Sequence, residues 1–93
     1  MKYRPTKDEK ELLFAISSLE DEDETLWFLR DLLTEAEIKE FANRWKAAKM
    51  LSKHIAYKKI EKETGMSSTT IARIQRWLQG GMGGYPLMIE RIK

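Results

Sequence analysis

Ser67, Ser68, Thr69 and Thr70 place four short hydroxyl side chains in a row, and Ala72, Arg73 and Arg76 follow within six residues. No acid, thiol or imidazole interrupts this stretch, so the chemistry on offer is hydrogen bonding to a ligand rather than bond-making. An arginine fork can donate two parallel hydrogen bonds to a guanine edge, and each such pair discriminates by about 1–3 kcal/mol. Short side chains ahead of the arginines let the amino end of a helix approach base edges in a major groove. Lys58, Lys59 and Lys62 precede the stretch. Their ammonium groups suit phosphates, which fix register without reading sequence.

Such a face works only if something holds it outward. Over about residues 68–79 the apolar positions Ile71, Ile74 and Leu78 form one helical stripe. Turning that stripe inward presents Ser68, Thr69, Ala72, Arg73 and Arg76 on the other side. A second short helix is expected just before it, over about 56–63, with Ile60 facing inward. Gly65 supplies a turn residue tolerant of positive φ, Met66 an apolar flank, and Ser67 a hydroxyl able to cap the next helix. Together residues 56–79 read as a helix-turn-helix. Glu61 departs from that pattern, because many such units prefer a small residue four places before the turn glycine.

The remaining chain is helical in pattern, with no strand signal and no internal repeat. Thr6 with Glu9, and Thr34 with Glu37, have the spacing of capping boxes. The first opens a helix carrying Leu12, Leu13, Ile16 and Leu19. The second opens the longest helix, marked by Ile38, Phe41, Ala42, Trp45, Ala48 and Leu51. Between them, residues 20–25 (EDEDET) read as an acidic connection whose last members favour the positive end of a helix with Leu26, Trp27, Leu29, Leu32 and Leu33. Trp27, Phe28, Phe41 and Trp45 lie on apolar stripes and are expected in a core or a dimer interface. Pro86 suits a first helical turn, which predicts a last helix over about 86–92. The expected fold is all-α and a single domain over 1–93, with the first helices over about 6–53.

Ninety-three residues, 42% hydrophobic and 34% charged, leave a thin private core that a partner subunit would supplement. Without cysteine and with His54 as the single histidine, disulfides, thiolate metal sites and clustered zinc or iron sites are excluded, and no cofactor is expected. No nucleophile has a histidine neighbour and no Walker-type loop is present, so an enzyme is not expected. The net charge of +2 conceals an asymmetry. Residues 1–40 carry 6 Lys+Arg against 12 Asp+Glu, and residues 41–93 carry 11 against 3. A polyanion such as double-stranded DNA is the partner this basic half suits. No apolar run approaches a membrane span and no secretory leader is evident, so a cytoplasmic location is expected.

The segments LLTEAEIKEFANRWKAAKML and KKIEKETGMSSTTIARIQRWL, with GGY after them, resemble the tryptophan-repressor family, in particular its TrpR-like YerC/YecD branch, over about residues 12–92. The resemblance implies that the helices over about 6–53 are dimerisation helices. It implies an intertwined all-helical homodimer that binds DNA as a transcriptional regulator, a repressor by analogy, with paired reading helices in successive major grooves. Half-sites would then lie about 34–36 Å apart. In the tryptophan repressor itself, two arginines hold the corepressor and a glycine after the second admits it. Arg44 and Arg73 match those arginines, but Ile74 stands at the glycine position, so tryptophan is not expected as an effector. The competing expectation is a helical protein-interaction module that keeps the fold without reading DNA.

Overall fold

Four of the helices begin where a side chain, from Thr6, Asp21, Thr34 or Ser67, answers amide groups that a first turn leaves unpaired. In the computed structural model, which describes residues 3–92, the helices are α1 (Lys7–Ser17), α2 (Glu22–Leu32), α3 (Glu35–Ser52), α4 (Tyr57–Thr64), α5 (Ser68–Gly80) and α6 (Gly84–Ile92). No strand occurs among the described residues. Both capping boxes form. Thr6 Oγ1 accepts from the Glu9 amide at 3.1 Å, and Glu9 Oε1 accepts from the Thr6 amide at 2.9 Å. Thr34 and Glu37 repeat the exchange at 3.1 and 2.9 Å. The Tyr3 hydroxyl also donates to Glu9 at 2.5 Å. That bond, with the Thr6 amide behind it, holds the Glu9 carboxyl below its usual range.

The acidic stretch is more helical than its charge suggested. Asp21 caps α2 by accepting from the Glu24 amide at 2.8 Å, so Glu22, Asp23 and Glu24 form its first turn. Their charges face the positive end of the helix.

The described chain comprises two compact units, divided between Ile38 and Lys39. Among its described residues the first unit has no core of its own: no residue of α1 or α2 is buried. Trp27 is 63% exposed and Phe14 74%. Trp27, and Phe41 at 47% exposure, are therefore not core residues of the single chain. Their stripes lack enough apolar neighbours within it.

The second unit does have a core. Ala47, Ala48, Met50 and Leu51 of α3 cluster with Ile60 of α4 and Ile71 and Ile74 of α5, and Trp45, Ile55, Met66, Leu78 and Tyr85 pack around them. Alanines at 47 and 48 keep that face of α3 small, so neighbouring side chains can come close. α3 is stopped by His54, two residues past its end, whose φ of 60° is left-handed. Its amide donates to Leu51 O at 2.9 Å and the Ile55 amide to Met50 O at 3.1 Å, the paired bonds of a Schellman stop. α6 starts two residues before Pro86, which then occupies the third helical position. The missing N–H still falls among the four that have no partner in the helix.

Candidate nucleic-acid interface

The geometry of α4 and α5 follows from three residues, Thr64, Gly65 and Ser67, within a four-residue span. Thr64 ends α4 and is buried; its hydroxyl donates to Ile60 O at 2.7 Å and accepts from the Met66 amide at 3.2 Å. Gly65 then takes φ +73°, and its amide donates to Glu61 O at 2.8 Å. An L side chain would be strained in that left-handed turn. Ser67 caps α5: its hydroxyl accepts from the Thr70 amide at 3.2 Å and shares a 3.0 Å hydrogen bond with the Thr70 hydroxyl. Glu61 is accommodated half-buried, so the departure at that position does not prevent the turn.

Thr64 was missed in the sequence, where a threonine in a last turn reads as a surface residue. The available signal was its position four residues after Ile60 and immediately before the glycine, which suits a hydroxyl bonding back to the i−4 carbonyl.

Ile71 and Ile74 are fully buried, and Leu78 is half-buried. At 100° per residue this directs Thr69, Arg73 and Arg76 to the opposite side, and all three are exposed. Ser67 and Ser68 are exposed beside them, whereas Ala72 and Thr70 are half-buried on the flanks. Thr70 uses its hydroxyl and amide in the cap. Arg73 and Arg76 take part in no ion pair among the described residues, so both guanidinium groups can meet an outside acceptor.

On α4, Lys58, Lys59 and Lys62 are exposed. Lys58 and Lys62 stand four residues apart on the side away from Ile60. Glu63 is engaged with Lys46 of α3 at 3.4 Å, which draws that carboxylate toward α3. Arg44 binds Glu40 at 2.5 Å and lies 5.7 Å from the Phe41 ring centroid. Arg44 and Arg73, paired by resemblance, thus differ in setting: one is tied within α3, and the other is exposed on α5.

An all-α fold with α4 and α5 consistent with a helix-turn-helix arrangement, and a cationic outer face on α5, defines the class. Comparison with known proteins narrows it. The Trp repressor protein family model matches residues 7–93. The YerC protein of Bacillus subtilis (strain 168) is 40% identical over 87 residues, covering 94% of this chain and 84% of that one. A crystal structure of a candidate Trp repressor from Staphylococcus aureus superposes with a TM-score of 0.87 at 36% identity, over 95% of this chain and 88% of that one. The crystal structure of a TrpR-like protein from Eubacterium eligens ATCC 27750 gives 0.88 at 40% identity, over 94% and 90%. The chain belongs to the Trp repressor family, in its TrpR-like YerC/YecD branch. That membership places it among regulators rather than enzymes. No helix among the described residues is long and apolar enough to cross a membrane.

Proposed function

We propose that this protein is a sequence-specific DNA-binding transcriptional regulator that works as a homodimer, with α4 and α5 as a helix-turn-helix and α5 as its reading helix. The observation that carries the reading is the exposure of Arg73 and Arg76 on the side of α5 opposite the fully buried Ile71 and Ile74. Ser67, Ser68, Thr69, Thr70 and Ala72 line the amino end of the same helix, where close approach to bases needs small groups. Lys58, Lys59 and Lys62 serve as phosphate contacts. Placing Lys58 and Lys62 at i and i+4 costs a helix about 0.2–0.5 kcal/mol by like-charge repulsion, and a phosphate near both relieves it. The apolar faces of α1 and α2 suit burial against a second copy, as the family resemblance implies.

Titration of labelled duplex with the full chain at several salt concentrations tests the reading. The logarithm of the binding constant should fall linearly with that of salt, at a slope of about −0.9 per phosphate neutralised. Lys59→Ala should weaken binding to all duplexes alike and reduce that slope by about one contact. A flat salt response, or no duplex binding in dilute buffer, would instead favour the protein-interaction module.

The regulator proposed here does not respond to tryptophan. Ile74, at the position of the admitting glycine, is 0% exposed within the core, and Arg44 is engaged by Glu40. Isothermal titration with tryptophan should give no saturable heat. Saturable binding in the micromolar range would remove this part of the proposal.

A further inference from the structure

Trp45 of α3 and Tyr85 of α6 stack with ring centroids 6.4 Å apart and planes 19° from parallel. Both rings are half-buried and pack on the cluster that holds Ile71 and Ile74. The Lys49 ammonium lies 5.4 Å from the centroid of the same indole, a further attraction that keeps Trp45 in place. No residue of α6 is fully buried, and Leu87 and Ile92 are exposed. Ile89 is half-buried as well, but Tyr85 is the α6 residue that packs on the core cluster.

The path from Tyr85 to the reading helix is short. α5 ends at Gly80 and α6 starts at Gly84, and the three residues between them span at most about 10 Å even when extended. The connection is also tight. The Gly81 amide donates to Trp77 O at 3.0 Å, and a Cβ on Gly81 would lie 2.6 Å from that oxygen. Gly83 has φ +88°. Ile71 and Ile74 anchor the first two turns of α5, but beyond them Leu78 is half-buried and Trp77 is exposed. Arg76 sits in this more thinly held half.

We infer that Tyr85 is a positioning residue for Arg76. Stacked on Trp45, it pins α6 to α3 and, through the glycine connection, fixes the roll of the carboxy-terminal half of α5. That roll sets where the Arg76 guanidinium meets a base. The inference rests on the duplex-reading role proposed above.

The test uses the full chain carrying Tyr85→Ala or Tyr85→Phe, each alone and combined with Arg76→Ala. The readout is the ratio of affinities for a duplex selected from a random pool and for a scrambled one. Tyr85→Ala should lower that ratio about 5- to 10-fold, within the range of one lost base contact. In the Arg76→Ala background it should lower it no further, and Tyr85→Phe should keep the wild-type ratio because it keeps the ring. A variant that merely unfolds loses affinity for both duplexes equally, so the ratio separates positioning from stability. Equal losses in both backgrounds, or a wild-type ratio in Tyr85→Ala, overturn the inference and leave the proposed function standing. A wild-type chain that binds no duplex removes both. Hydrogen exchange provides a reading without DNA: Tyr85→Ala should speed exchange across residues 75–79 about tenfold, and unchanged exchange there overturns the inference.

Discussion

Ile74→Ala should lower the stability of the carboxy-terminal unit by about 2–5 kcal/mol, the range for truncating a large aliphatic side chain in a packed core. Ile74 is fully buried, as are its cluster neighbours Ile60, Ile71, Ala47 and Ala48. Small neighbours offer few flexible atoms to collapse into the space, so part of the cavity should persist. Domains of this kind have about 5–15 kcal/mol in total, and the variant would therefore lose a large fraction of its margin. Urea unfolding followed by circular dichroism measures the change. Ile74→Val, which removes one methyl group, should cost about 0.5–1.5 kcal/mol. An alanine variant within about 0.5 kcal/mol of the wild type would show that the side chain is not held as described.

The double variant Arg73→Ala, Arg76→Ala should behave in the opposite way, with normal stability and lost discrimination. Both side chains are exposed and neither joins an ion pair among the described residues, so their removal leaves the core untouched. Each bidentate contact to guanine discriminates by about 1–3 kcal/mol, and each substitution should relax preference at its own position of the half-site. Together they should bring a preferred duplex close to the affinity of a random one, while Lys58, Lys59 and Lys62 continue to supply non-specific attraction. Competition binding with duplexes substituted at single positions reads this out. A double variant that discriminates as well as the wild type would refute the assignment of α5 as the reading helix.

Local features were legible in the sequence because their causes are local. Thr6 with Glu9 and Thr34 with Glu37 lie three residues apart, and Gly65 and Ser67 flank the turn they shape. The inward stripe of Ile71 and Ile74 follows from helical periodicity alone. Long-range pairings were not legible. Nothing near Trp45 signals that Tyr85 will stack on it, and the pairing of Lys46 with Glu63 depends on how α3 and α4 meet. Periodicity also could not separate a stripe covered within its own chain from one left open. Phe41 and Trp45 lie on the same predicted stripe, yet Trp45 packs on the cluster and Phe41 stays outside. The last helix was expected from Pro86 because proline favours a first turn, a rule that tolerates any of the first few positions.

Phe14, Trp27, Leu13 and Leu26 stand more than half exposed in the single chain. If a second copy covers them, as proposed, the assembled species forms by a second-order encounter and mass action governs its abundance. While most copies remain solitary, doubling synthesis quadruples the number of pairs. Gene dosage would then steepen the regulatory response without any small-molecule signal.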